Sequence, residues 1–237
     1  MLKTRLAVAG VVAAFSLSVA FSQNGGESSR ASNPDPAISS SGSQQSKRIL
    51  GIIPNYRSVR ADTELPPLSA KKKFTLATQD SFDYTSFILA GIMAGLDDVR
   101  AETPEFGHGP AGYGRYFWHT FADNTSANYL TEAIVPAVTR EDPRYYTLGH
   151  GSFLHRTGYA ISRLVVTRTD SESRSFNFSE IAGNGAAAGI SNLYYPSTER
   201  TFSNTAQRWG TQIALDGLFN IFKEFWPDIS AGLSRQH

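Results

Sequence analysis

Arg115, His119 and Asp123 stand at i, i+4 and i+8 of one predicted helix, so their side chains stack along one face. A carboxylate beside an imidazole holds it in one tautomer and makes it a better base or metal ligand. A guanidinium above the pair suits an anion such as phosphate or carboxylate. This trio, joined by His150, is the candidate catalytic set of a metal-independent hydrolase or phosphatase. The same residues also read as an ion-pair ladder on a helix face. No further His or carboxylate completes a metal set, so neither a metal nor a cofactor is expected.

Other chemistry-bearing strings are incomplete. His150, Ser152, His155 and Arg156 lie close in sequence, but Gly-x-Ser-x-Gly is absent and Ser152 reads as a helix cap. Gly107 to Gly112 matches Gly-x-Gly-x-x-Gly, yet no strand precedes it and Pro110 removes an amide that a phosphate cradle needs. Asp80, Asp83, Asp97 and Asp98 lack the ligand ladder of a calcium loop and read as caps and surface charge. Asp216, Asn220 and Glu224 share one face of the last helix, with Arg208 further back on roughly the same side. A solvated face is the expectation there, and an internal polar seam the alternative. The aromatic clusters at 113–121, 145–146, 194–195 and 219–226 are expected in the core, with a groove or a membrane-facing patch as the alternative.

These residues must be positioned by helices. Asn-Gly and Asp-Gly hairpin signals are missing and no long run alternates, so the expected fold is an all-α bundle of about six helices in one domain, 48–233. The spacing predicts helices over 70–78, 80–100, 110–140, 152–166, 180–194 and 202–225. Asn124-Thr125-Ser126 weakens the third, Pro136 kinks it, Ser179 caps the fifth, and Trp226-Pro227 stops the last. Gly91…Gly95 and Gly185…Gly189 are notches where helices pack on each other or on the central one. A ten-residue apolar run, Phe87 to Leu96, suits a buried core helix better than a span.

Ahead of the domain, Lys3 and Arg5 precede an apolar core, and small residues at Ala20 and Ser22 end it, as in a secretory signal over 1–22. Residues 23–47 are Ser, Gly, Asn, Gln and Pro and predict a disordered tether. Loss of the signal leaves 20 basic against 21 acidic residues, a net charge of −1 that excludes broad capture of nucleic acid. The chain has no cysteine, which removes lipoprotein anchoring, disulfides and thiol chemistry.

Four strings carry a resemblance: Ile52-Ile53-Pro54-Asn55-Tyr56-Arg57, Gly114-Arg115-Tyr116-Phe117-Trp118, Asp142-Pro143-Arg144-Tyr145-Tyr146, and Gly189-Ile190-Ser191-Asn192-Leu193-Tyr194-Tyr195-Pro196. They are similar to strings of an uncharacterised family of exported bacterial proteins typical of acidobacteria, over about 48–230. The resemblance implies the periplasm or outer envelope of a bacterium and no activity. The expected role is structural or binding, with lipid, glycan or protein as partner, through an aromatic-lined helical surface. The alternatives are the hydrolase above and a small integral helical membrane protein.

Overall fold

The structure is a computed structural model that describes residues 48–49, 53–54, 58–60 and 65–234. The expected signal and tether lie outside the described residues. The fold is an all-α bundle. Helix α1 (Ala70–Ser81) begins at Ser69, whose side chain accepts from Lys72 N. Helix α2 (Tyr84–Arg100) begins after Asp83, which accepts from Thr85 N, so the break between the first two helices falls a few residues later than expected. Then α3 (Gly109–Asn128), a π turn (Tyr129–Ile134) and α4 (Val135–Thr139) run as one rod. Helix α5 (Phe153–Ser162) is capped by Ser152, as expected. A second π turn (Ser179–Gly183) leads into α6 (Asn184–Ser191), and α7 (Phe202–Ser234) ends the described chain.

The strands are short and only pair. β1 (Arg48–Ile49) lies antiparallel to β2 (Ile53–Pro54), and β3 (Ser58–Arg60) lies parallel to β4 (Tyr145–Thr147). β5 (Val166–Arg168) and β6 (Arg174–Phe176) form an antiparallel hairpin in the register Arg168↔Arg174.

Pro136 lies in the first turn of α4, directly after the widened π turn. Two local expectations are corrected. Pro227 lies inside α7 instead of stopping it. Arg156 braces that turn, donating to Glu224 O and to the Asp228 carboxylate on either side of it. Ser179 is not a cap: Asn177 Oδ1 accepts from Glu180 N, while Ser179 turns inward to Glu141.

Glycine sets the close approaches. Gly91 receives Tyr113 of α3, whose hydroxyl donates to Gly91 O at 3.2 Å. Gly185 faces the indole of Trp209 on α7, whereas Gly189 faces open space. Gly183 is as close to the central rod as Gly91, and a Cβ there would stand 3.0 Å from Thr131 Cγ2. Gly112 is tighter still. A Cβ there would lie 2.5 Å from Gly107 O, a backbone atom that cannot swing away. Gly112→Ala is therefore expected to lose about 1–3 kcal/mol in equilibrium unfolding. Gly114→Ala, which meets nothing within 4 Å, should be neutral or gain up to ~1 kcal/mol from helix propensity.

The polarity of the bundle is reversed. Among its largest fully buried side chains are Lys73 (1% exposed), Glu132 (2%), Glu141 (2%) and Glu224 (0%). Among the described residues the buried apolar set is dominated by alanine, and Ala94, Phe106 and Tyr116 cluster within it. Phe87, Ile88, Trp118, Ile134, Leu193 and Phe202 face outward.

Candidate functional site

The sequence-predicted trio lies together but is tied into packing. His119 is buried on α3, with Nδ1 2.7 Å from Arg115 O and Nε2 3.1 Å from Tyr194 O, so both ring nitrogens are engaged by carbonyls. Phe106 and Tyr195 flank the imidazole. Asp123 accepts hydroxyl donors from Tyr194 at 2.5 Å and Tyr195 at 2.9 Å rather than bonding the imidazole. Arg115 reaches Phe106 O at 2.7 Å. His150 is exposed in the loop before α5, with Nδ1 2.9 Å from Leu148 O. That loop bonds the carboxylate of Glu224, so His150 belongs to a different part of the bundle from the other three.

The open space lies between α2, the central rod, the second π turn with α6, and α7. A larger chamber of about 340 Å³ holds Glu132, Glu180, Asp216, Arg163, Arg168 and Lys223 on its walls. A smaller one of about 240 Å³ is lined by Asp97, Asp123, Asn184 and Arg208. The two share Met93, Thr120, Asn124 and Gln212, so they adjoin along the bundle. Each π turn delivers one carboxylate to the larger chamber, Glu132 from the first and Glu180 from the second. Asn184 ties two of the acids, its Nδ2 donating to Glu180 Oε1 at 3.2 Å and to Asp216 Oδ2 at 3.0 Å. The face expected to be solvated on the last helix is thus the internal seam: Asp216 and Asn220 line the chamber and Glu224 is sealed.

The string 142–146 builds the wall at one end. Asp142 accepts Arg144 Nε on both oxygens at 2.9 Å and Tyr146 OH at 2.8 Å. Glu141 accepts the amides of Phe178 and Ser179 at the start of the second π turn. At the opposite end, directly after Leu96 of α2, Asp97 sits at the rim near Arg100 and Glu102. Burial, with Glu102 adding to it and Arg100 opposing, pushes its carboxyl up to about 6.

A raised aspartate means that the folded chain holds a proton which the unfolded chain has released. Stability from this group therefore falls as pH rises from about 4 to about 6, and the cost is fully present at pH 7. Asp97→Asn should stabilise the protein at pH 7 by on the order of 2 kcal/mol and lose that advantage below about pH 4. Unfolding curves across pH check this.

Glu132, Glu180, Arg163, Arg168 and Lys223 are charged chamber residues that the sequence did not single out. The usable signal was that Glu132 is the one acid between Asp123 and Arg140, in a stretch whose outward positions are apolar. Among the described residues, no group of three or more His, Cys, Asp or Glu side chains is placed to hold a metal ion. No family model, curated protein or solved structure matches the chain.

Proposed function

We propose that the chain is an exported envelope protein whose outer surface lies in lipid and whose interior offers a polar chamber to a bound molecule. The observation that carries this reading is the reversed polarity of the helices. From Tyr116 to Thr139 the exposed positions of the central rod are Trp118, Ile134 and Val138. In α7 between Gln207 and Asp228 they are Trp209, Gly210 and Ala214. Each large apolar side chain left in water forgoes about 1.5–3 kcal/mol, which hydrocarbon restores. The 24 residues from Tyr116 to Thr139 make a rod of about 36 Å at 1.5 Å per residue, against about 30 Å of bilayer hydrocarbon.

Among the described residues, no helix is long and apolar enough to cross a membrane. Average hydropathy along the central rod is lowered by Asp123, Asn124, Asn128 and Glu132, all of which line the chambers. Binding is favoured over hydrolysis because the nitrogens of His119 are both held by carbonyls and Asp123 is held by two tyrosines. The family resemblance supplies the setting, the periplasm or outer envelope of a bacterium.

Tryptophan gives a direct test. Trp118 is 49% exposed and Trp209 37%, while Trp226 is 6% exposed. Single-tryptophan proteins are reconstituted in phosphatidylcholine vesicles carrying acyl-brominated lipid. The Trp118 and Trp209 forms should lose most of their emission and the Trp226 form little. Equal emission from all three with and without bromine, in a protein that self-associates, would assign the apolar surface to a second copy instead.

A further inference from the structure

We propose that the end of the bundle where the central rod stops docks on the headgroups of anionic phospholipid, through Lys71, Lys72, Arg140 and Arg174. This rests on the lipid-facing reading above, and adds which lipid the surface selects and at which end.

The first observation is how four cations come to share one end. The rod stops at Arg140, the left-handed residue that closes α4. Lys73 of α1 bonds Pro136 O and Glu141 O, so α1 starts beside that same end. Of the run Lys71-Lys72-Lys73, the third turns inward and the first two are exposed. They stand in the first turn of α1, which holds no acid, where the helix dipole disfavours a cation. An anionic surface reverses that local cost. The β5–β6 hairpin is pinned there too, with Asp170 N donating to Arg140 O and Asp142 N to Arg168 O, and its second strand presents Arg174 exposed. Carboxylates do not balance these charges. Asp170 is taken by Lys73, Glu141 is buried against the amides of 178 and 179, and Asp142 is buried against Arg144. Glu172 at the hairpin tip is exposed, one carboxylate against four exposed cations among the described residues of this end.

The second observation is the apolar surface among the cations. Val138 is 80% exposed two residues before Arg140, Phe74 is exposed one turn on from Lys71, and Phe176 is exposed two residues after Arg174. Basic side chains interleaved with exposed apolar ones suit the boundary between acyl chains and phosphates, where long stems lie along the chains and their heads reach the anions. The other end of the rod has the opposite balance, with Asp97, Asp98, Glu102 and Glu105 against Arg100 and Arg115. An anionic leaflet therefore attracts one end and repels the other. Each basic residue near such a surface is worth roughly a fivefold gain in association. At 0.1 M salt the effect fades within about 10 Å, so the selection is local to this end.

The test uses two single-tryptophan forms of the full chain, the Trp118 protein above and one with Val138→Trp as its only tryptophan. The two positions are about 30 Å apart along the rod. Both are reconstituted in phosphatidylcholine vesicles containing either acyl-brominated phosphatidylglycerol or the same mole fraction of acyl-brominated phosphatidylcholine. Circular dichroism establishes that every variant folds. At the Val138→Trp reporter the anionic lipid should quench as if at least about twofold enriched over its bulk fraction, and 0.5 M salt should remove most of the excess. At Trp118 the two brominated lipids should quench alike. Lys71→Gln/Lys72→Gln/Arg140→Gln should bring the two lipids to equality at the Val138→Trp reporter, and Arg174→Gln alone should lower the excess in the same direction. Equal quenching by the two lipids in the parent, an excess that the triple variant keeps, or the same excess at Trp118 overturns the docking surface and leaves the lipid-facing reading standing. No quenching by either lipid at either reporter overturns that reading, and this inference with it.

Discussion

Glu224→Ala is expected to cost about 3–5 kcal/mol and to abolish most cooperative unfolding. Glu224 is the junction between α7, α5 and the 145–149 segment. Its Oε1 accepts Gly149 N and Arg156 Nε, both at 2.9 Å, and its Oε2 accepts Leu148 N at 2.9 Å and Tyr145 OH at 3.2 Å. The carboxylate is fully buried, and four donors with one formal cation compensate its desolvation. Truncation leaves two loop amides unbonded and a 7%-exposed guanidinium with Asp228 as its remaining carboxylate. The loss is therefore mostly the penalty on the groups left behind. Glu224→Gln keeps the shape but turns an NH2 toward donors, so it should fall between alanine and the parent. Removing both charges in Glu224→Leu/Arg156→Leu should restore part of the loss, a coupling of about 2 kcal/mol or more in a double-mutant cycle. Additive single losses would show that the pair does not act as one unit.

The contrast between what the sequence revealed and what it hid has one cause. Local signals were legible. Ser69 and Ser152 each cap a helix through a side chain that reaches an amide three residues on, and such bonds need no partner from elsewhere in the chain. Helix period was legible for the same reason. The sign of that period was not. An apolar stripe says that a helix has two faces, and a buried stripe and a lipid-facing stripe repeat identically. Asp216, Asn220 and Glu224 therefore read as a wet face until the opposite walls of the chamber were placed. Glu132 and Glu180 were hidden twice, because each sits on a π turn that rotates it away from where a regular helix would put it. Pro227 misled because its tolerance depends on Arg156, seventy-one positions earlier. His119 and Asp123 were placed on one helix, but which partners they would take was decided by Tyr194 and Tyr195 on another element.

Lys73→Met should cost about 2–4 kcal/mol although it removes no apolar contact of note. Lys73 is 1% exposed, and its three ammonium protons go to Pro136 O at 3.0 Å, Glu141 O at 2.7 Å and Asp170 Oδ2 at 2.7 Å. Two of those acceptors are carbonyls at and just beyond the C-terminal end of the central rod, where the dipole favours a cation. The third belongs to the hairpin that carries Arg168 and Arg174. One side chain of α1 thus caps the rod and anchors the wall of the chamber. Methionine fills nearly the same volume, so the loss measures the bonds and not a cavity. Lys73→Arg should not rescue, because a flat guanidinium cannot direct three protons to acceptors spread around one point. Asp170→Asn separates the parts. It keeps the carbonyl caps and removes the ion pair, and it should cost about 1 kcal/mol or less because Asp170 is 22% exposed. Equal losses for Lys73→Met and Asp170→Asn would locate the energy in the ion pair and remove the capping role. A much larger loss for Lys73→Met places it in the caps, and with it the reason that a lysine is the largest fully buried side chain of α1.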